Sequence, residues 1–238
     1  VEPAEYMTGD GLPPPGLFES SAARPAGYSD CYRLSFYNIG WNAASKKARH
    51  TMDGLATEIC NMVNDKCVDA VGISEVFNLK DDRKQERQVI MQHVVSKLNS
   101  SAAQPATSAD SSAARPAWVG RSDGHYIFVW SSSRLVLTEY EYVSCGIKEH
   151  HWRMAQYLQF QCAESQGELP LHVIHNHSPS SGNSKLTDAR RKQIFLTLWA
   201  HVMQKDHGSG SQPVAIFGGD FNCKPLLWEE CLKHAMDT

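Results

Sequence analysis

The chain has 238 residues, of which 42% are hydrophobic and 21% charged, as in a globular protein that buries one sizeable core. Its net charge of −3 lacks the basic excess of a strong non-specific nucleic-acid binder, although a local groove can be basic on a neutral protein. No apolar run approaches the roughly 18 residues of a membrane span, and no basic-then-apolar leader opens the sequence.

The cysteines favour a reducing environment. There are seven, an odd number, and they are scattered without a CxxC pair. This pattern predicts free thiols rather than a disulfide framework or a zinc site. An intracellular location is therefore expected, and the sequence does not separate nucleus from cytoplasm. The first residue is Val rather than Met, which indicates a fragment or a processed chain.

Composition divides the chain into a head and a body. Residues 1–29 are rich in Pro, Gly, Ser and Ala without periodicity, which predicts disorder. Residues 30–238 form the predicted folded domain. Within it, residues 99–117 are of low complexity and are predicted to be a surface loop, since long surface loops cost little folding free energy.

Strands and helices follow one another irregularly along the body. Apolar or alternating runs predict strands at 31–39, 69–76, 126–131, 135–143, 155–162, 171–177 and 213–221. Apolar stripes at helical spacing predict helices at 51–65, 84–98 and 188–204. Because strict strand–helix alternation is rare, the order predicts an α+β fold in which two packed sheets have helices outside.

Two predicted strands end in polar side chains that suit a cation. Asn38 ends the first, in SFYNIGWN, and Glu75 ends the second, in DAVGISEV. Mg²⁺ prefers carboxylate oxygens and keeps several waters, so one or two protein carboxylates suffice. Each residue also has a plainer interpretation: Asn38 as a turn residue before Gly40, and Glu75 as an exposed strand-end acid.

Later strands carry groups that can contact a phosphate. His175 and His177 flank Asn176 in LHVIHNHSPSS, so both share one strand face and can bind a transition metal or a phosphate. Tyr126 opens a strand in SDGHYIFVW, where its hydroxyl can bond a phosphate or its ring can pack in the core. Arg153, in HWRMAQYLQF, can face an anion or solvent.

The run PVAIFGGDFN carries the most informative pattern. Gly218 and Gly219 remove side chains where the backbone must turn or a neighbour must come close. Asp220 and Asn222 follow with period-2 spacing, so a continued strand points both to one side. A carboxylate beside a carboxamide can orient a water for attack and fix a phosphate. The alternative is an ordinary Asx turn.

Taken in order, SFYNIGWN, GISEV, HYIFVW, VIHNHSPSS and FGGDFN resemble the motifs of the endonuclease/exonuclease/phosphatase superfamily, over residues 31–224. The resemblance implies a deoxyribonuclease I-like four-layer sandwich with two mixed sheets. It also implies a metal-dependent phosphoesterase, with Mg²⁺ as the expected cofactor, Mn²⁺ as the alternative, and a nucleic acid as the expected substrate partner.

The same resemblance implies roles for individual residues. Glu75 matches the main Mg²⁺ ligand, and Asn38 matches the asparagine that helps to hold the metal or its water. Asp220 matches the aspartate that orients or deprotonates the attacking water. Asn222 matches the asparagine that binds the phosphate or the metal.

The remaining candidates concern the phosphate. His177 matches the histidine that contacts the scissile group, and His175 is the rival assignment because His-Asn-His permits a slip along the strand. Tyr126 matches a tyrosine of some branches, and Arg153 is a further phosphate-binding candidate.

The match stops before the superfamily's last motif, a Ser-Asp-His type on a later strand. His234, in CLKHAMDT, lacks the preceding Asp. The chain is therefore expected to lack the end of the domain and to expose apolar sheet surface there. The leading hypothesis is a Mg²⁺-dependent phosphodiesterase, most simply a nuclease acting on DNA or RNA. A non-catalytic interaction module and a lipid or inositol-phosphate phosphatase stay open.

Overall fold

The computed structural model describes residues 32–39, 52–76, 84–102, 117–124, 126–145, 154–163, 170–178, 188–205, 214–221, 229–231 and 233. They all lie in one unit, Tyr32–Thr238. The strands are β1 (Leu34–Asn38), β2 (Ala70–Ser74), β3 (Trp118–Asp123), β4 (Tyr126–Ser131), β5 (Leu135–Ser144), β6 (Met154–Cys162), β7 (Leu171–His177) and β8 (Val214–Asp220). The helices are α1 (Met52–Lys66), α2 (Lys84–Ala102) and α3 (Asp188–Lys205).

The strands form two four-stranded sheets. The first has the order β1-β2-β4-β3 and the second the order β5-β6-β7-β8. In the first sheet β1 and β2 are parallel and the other pairs antiparallel. In the second, β7 and β8 are parallel and the other pairs antiparallel. Each sheet is therefore mixed, with one parallel pair at an edge.

Apolar layers join the sheets and helices. Between the sheets, the rings of Phe128 and Phe160 stack with their centroids 6.0 Å apart. On the outer face of the first sheet, Leu55 of α1 packs in one cluster with Ile73 of β2 and residues of α2. On the outer face of the second sheet, Ile194 of α3 packs with strand residues. The order helix–sheet–sheet–helix confirms the predicted α+β sandwich.

Central and edge strands differ in burial. Every residue of β2 and of β7 is buried, because each strand is flanked by neighbours in its sheet and covered on both faces. The edge strands β1 and β8 are mostly half-buried. The central strands therefore form the buried middle of each sheet.

One strand was not predicted. β3 pairs with β4 along its whole length. Asp123 ends β3 and pairs with Tyr126, and Gly124, in the turn that follows, has a φ of 55°. An Asp-Gly pair between two strand-like runs is a hairpin signal, and it would have identified β3.

The predicted loop at 99–117 begins too early, because α2 continues to Ala102. The helix is held by its buried stripe, which includes Leu98. The side chain of Asn99 forms two hydrogen bonds with the backbone at the start of β3, and we call this pair of bonds the clasp. Its Nδ2 donates to the Trp118 carbonyl at 3.1 Å, and its Oδ1 accepts from the Trp118 N–H at 2.7 Å.

The predicted disordered head, residues 1–29, lies outside the described residues. Within the described ranges, the helices are too short or too polar to cross a bilayer. The cysteines described there are free thiols.

Candidate active site

Polar side chains from four strands meet at one end of the sandwich. Because β1 and β2 are parallel, with Asn38 opposite Ser74, Asn38 and Glu75 leave the same edge of the first sheet. Likewise His177 lies opposite Asp220 at the end of the parallel pair in the second sheet. Two hydrogen-bonded contacts join the sheets there, Asn38 to Asp220 and His177 to Glu75. We term Asn38, Glu75, His177 and Asp220 the rim.

Two glycines let β8 come close enough to present Asp220. A Cβ on Gly218 would lie 2.0 Å from Phe36 Cε2, and one on Gly219 would lie 2.0 Å from the Asn176 carbonyl oxygen. Gly219 also has a φ of 110°, which L-residues rarely adopt. The prediction that these glycines mark a close approach is confirmed. Asp220 Oδ2 then accepts a hydrogen bond from Asn38 Nδ2 at 3.3 Å.

Glu75 and His177 form the more buried half of the rim. His177 Nε2 lies 2.9 Å from Glu75 Oε1, with side-chain exposures of 5% and 19%. Glu75 directly follows β2 with a φ of 59°. This left-handed conformation costs an L-residue about 1–2 kcal/mol. Backbone strain of this kind concentrates at functional sites, so it singles out Glu75 within its strand end.

The two histidines of β7 lie at different depths. His177 is at the rim, whereas His175 is fully buried, 4.7 Å between ring centroids from Tyr126 and 5.3 Å from Phe36. Its Nδ1 donates to Gln156 Oε1 at 3.1 Å. Burial, and then the charge of His177, lowers the pKa of His175 to about 3, so the imidazole is neutral. The structure places His175 in the core beneath the rim, away from solvent.

The side chain of Tyr126 contacts the rim at the backbone of His177. β4 runs antiparallel to β2 with Ile127 opposite Ile73, so Tyr126 starts its strand where β2 ends. Its ring is fully buried, and its hydroxyl accepts a hydrogen bond from the His177 N–H at 2.9 Å. The tyrosine therefore packs in the core and also fixes the backbone of His177.

Gln156 and Tyr142 support this region and were not singled out from sequence. Gln156 holds the ring of His175, and Tyr142 packs edge-on to Tyr126 with ring centroids 6.4 Å apart. A Cβ on Gly124 would lie 1.8 Å from the Tyr142 hydroxyl, so the β3–β4 turn requires glycine there. The glycine before HYIFVW was a usable signal for the turn, but not for its contact with Tyr142. The isolated Gln156 in an apolar strand offered none.

Two predicted residues, Asn222 and Arg153, lie outside the described residues, and their roles stay predictions.

The donor atoms of the rim suit a hard cation. Asn38 and Glu75 offer a carboxamide and a carboxylate from neighbouring strand ends. Mg²⁺ sites in proteins commonly use one or two carboxylates, with water completing the shell. Among the described residues, no three His, Cys, Asp or Glu side chains are grouped to hold a metal. The rim therefore offers a cation only isolated carboxylate and amide oxygens, and Mg²⁺ binding there stays a prediction.

The sequence matches no protein-family model and no curated protein. Solved structures do match. A mannosyl-6-phosphatase of Bacteroides thetaiotaomicron VPI-5482 has a TM-score of 0.57 at 13% identity, covering 86% of this chain and 71% of that one. An endonuclease/exonuclease/phosphatase family protein of Bacteroides thetaiotaomicron has a TM-score of 0.56 at 16% identity, with 85% and 67% covered. D. rerio TDP2 complexed with single strand DNA product has a TM-score of 0.53 at 13% identity, with 84% and 64% covered.

The chain spans 66% of a humanized D. rerio TDP2 and 64% of the DNA-complexed one. At these identities the likeness concerns the fold. The sheet topology indicates a two-sheet sandwich with helices outside. The superpositions on the two Bacteroides proteins support the same fold. This chain has a deoxyribonuclease I-like fold, the fold of the endonuclease/exonuclease/phosphatase family protein to which it is similar.

Proposed function

We propose that this chain is a Mg²⁺-dependent phosphodiester hydrolase whose substrate is a nucleic acid. The observation that carries the proposal is the convergence of Asn38, Glu75, His177 and Asp220, which are linked in pairs at 3.3 and 2.9 Å. The fold supports a phosphoesterase, because its neighbours include a phosphatase and a TDP2 that holds a DNA product.

Glu75 and Asn38 would hold the cation. When bound, Mg²⁺ would polarise a phosphoryl oxygen and offset charge on the leaving group. Since Asn38 Nδ2 donates to Asp220, the carbonyl oxygen of the same amide is the atom that suits a cation.

Asp220 would orient the attacking water and accept its proton. A carboxylate in this role acts as a general base, and general-base catalysis typically contributes about 10²–10⁴-fold. The hydrogen bond from Asn38 fixes the carboxylate of Asp220, so that it need not reorganise when the substrate binds.

His177 would contact a non-bridging phosphate oxygen. The pairing with Glu75 orients its ring, and the Tyr126 hydroxyl holds its backbone N–H. Such preorganisation matters because phosphoryl transfer depends mainly on positioning and on electrostatic stabilisation.

The test measures turnover of single- and double-stranded DNA, RNA and an abasic duplex with Mg²⁺, with Mn²⁺ and with EDTA. We expect cleavage that EDTA abolishes and that Glu75→Gln and Asp220→Asn each reduce by about 10²-fold or more. Glu229→Gln is the matched control, because it neutralises an exposed acid outside the rim. Cleavage that persists in EDTA, or full activity of Glu75→Gln, would contradict the proposal.

A second candidate is a phosphatase acting on small or lipid-linked phosphomonoesters. It is favoured by the likeness to a mannosyl-6-phosphatase. Sugar phosphates and inositol phosphates, assayed under the same metal conditions, separate it from the nuclease. An absence of turnover on every substrate leaves the non-catalytic interaction module.

A further inference from the structure

Helix α3 begins at the same end of the sandwich as the rim. It connects the parallel strands β7 and β8, so it runs antiparallel to both and starts near their carboxyl ends. Ile194 of α3 packs in one cluster with Ile174 of β7. Arg191 lies about one helical turn before Ile194, and therefore at the level of the end of β7, on the outer face of the sheet.

Arg191 is buried and is directed toward the start of α3. It belongs to the helix face that covers the sheet, and its side chain is 8% exposed. Its Nη1 reaches back to the first residue of the helix, donating to Asp188 Oδ1 at 3.0 Å. Side chains of a helix tilt toward its N-terminus, which places the guanidinium in the first turn.

The other edge of this guanidinium has no acceptor. Within the part of the chain that the structure describes, neither Nε nor Nη2 of Arg191 has a hydrogen-bond partner. These two nitrogens form the side-on fork that binds a carboxylate or a phosphate through two parallel bonds. The edge best suited to an oxyanion is therefore the edge left unsatisfied.

An unsatisfied buried guanidinium is costly. Arginine stays charged in proteins, and burial of its charge without acceptors is strongly unfavourable. Asp188 offsets only one edge and is itself 59% exposed. The first turn also carries Arg190 and Lys192, so bases outnumber acids there. The start of a helix adds positive potential and backbone N–H groups.

We propose that Arg191 and the first turn of α3 form a second oxyanion site, which binds a phosphate group. The site lies on the outer face of the second sheet, beside the end of β7, and shares no residue with the rim. It does not depend on the proposed hydrolase activity. Its phosphate comes either from free phosphate or from the backbone of a nucleic-acid strand.

The first experiment measures the melting temperature of the 238-residue chain while sodium phosphate replaces sodium chloride at constant ionic strength, with EDTA present. We expect a saturable rise of about 3–6 °C at roughly ten times the dissociation constant. Arg191→Met should abolish the rise, and Arg191→Lys should weaken it because the fork is lost. Arg121→Met, the same substitution at an exposed position of β3, should keep it.

A second readout separates binding from a merely structural role. In phosphate-free buffer, Arg191→Met should melt at the same temperature as the wild type or higher, because an uncompensated buried charge has been removed. Arg191→Met melting lower in that buffer, or an equal phosphate response in Arg191→Met and the wild type, would overturn the proposal. Should Arg191→Met fail to fold, isothermal titration of phosphate into the wild type and Arg191→Lys decides.

The source of the phosphate is settled with a further variant. His177→Ala alters the rim and should keep the phosphate response, which excludes binding at the rim. If a single-stranded oligonucleotide binds less tightly to Arg191→Lys than to Arg121→Met, the site takes a strand phosphate. If the two variants bind the oligonucleotide equally and the wild type still responds to phosphate, the ligand of the site is free phosphate. Loss of the response in His177→Ala would place the anion at the rim and refute the second site.

Discussion

The rim has two unlike halves. Glu75 and His177 follow the central strands β2 and β7, and their pairing is largely buried. Asn38 and Asp220 end the edge strands β1 and β8, where Asn38 is exposed. The surrounding core holds the first half, whereas close backbone approach at two glycines positions the second. Changes in the edge half should therefore separate activity from stability, and changes beneath the central half should mainly affect stability.

The largest expected effect is catalytic and lies in the edge half. Asp220→Asn should lower kcat/KM by about 10²–10⁴-fold, since the proposed general base is lost. The free energy of unfolding should change by no more than about 0.5 kcal/mol, as for other surface positions. Metal-dependent kinetics and urea unfolding of the same preparation check both. Parallel loss of activity and stability would mean that the two halves are not distinct.

The packing beneath the edge half is tested by Gly218→Ala. The added Cβ would clash with the Phe36 ring at 2.0 Å, so we expect destabilisation of about 1–3 kcal/mol. A second change, Phe36→Leu, should recover part of the loss in a double-mutant cycle. Gly54→Ala, on the exposed face of α1, is the control and should stabilise by up to about 1 kcal/mol. Additive effects at positions 218 and 36 would contradict the clash.

The core beneath the central half predicts a pH dependence. The pKa of folded His175 is about 3, against 6.5 for the free group, so below pH 6.5 the unfolded chain binds a proton that the folded chain does not. Stability should therefore fall as the pH drops from 6.5 toward 3, by up to about 1.4 kcal/mol per pH unit for this group.

His175→Leu isolates that group. It should lower stability at pH 7, because the buried Gln156 carbonyl loses its donor, but it should flatten the decline between pH 6.5 and 4.5. Urea unfolding across this range measures both slopes. Identical slopes in the two proteins would show that His175 is not a buried neutral imidazole.

The smallest expected effect concerns backbone strain at Glu75. Glu75→Gly and Glu75→Ala both remove the carboxylate, but only glycine adopts a φ of 59° without strain. The glycine variant should be the more stable by about 1 kcal/mol. Cys67 directly follows α1 and has a φ of 49°. Cys67→Gly and Cys67→Ala therefore give a reference comparison away from the rim. A more stable alanine variant at position 75 would argue against the strain.

The sequence predicted the parts of the fold that follow from local pattern. Alternating and apolar runs located β7 and β8, and the paired glycines indicated the close approach of β8. The sequence pattern does not show which residue of a strand lies in the core and which lies at its exposed end. His175 and His177 share one face by strand periodicity, so only the tertiary position of the strand end separates a core imidazole from a rim imidazole. The contact of Tyr126 with the His177 N–H likewise depends on how two sheets pack.

The clasp between Asn99 and Trp118 has a practical consequence. Two hydrogen bonds tie the end of α2 to the start of β3, so the entry and exit of the intervening stretch are joined independently of what lies between them. Because the free energy of closing a loop grows only slowly with its length, we expect the chain to tolerate an insertion between these two ends. A peptide inserted between residues 103 and 116 should therefore leave the melting temperature nearly unchanged, whereas Asn99→Ala, which removes both hydrogen bonds to Trp118, should lower it.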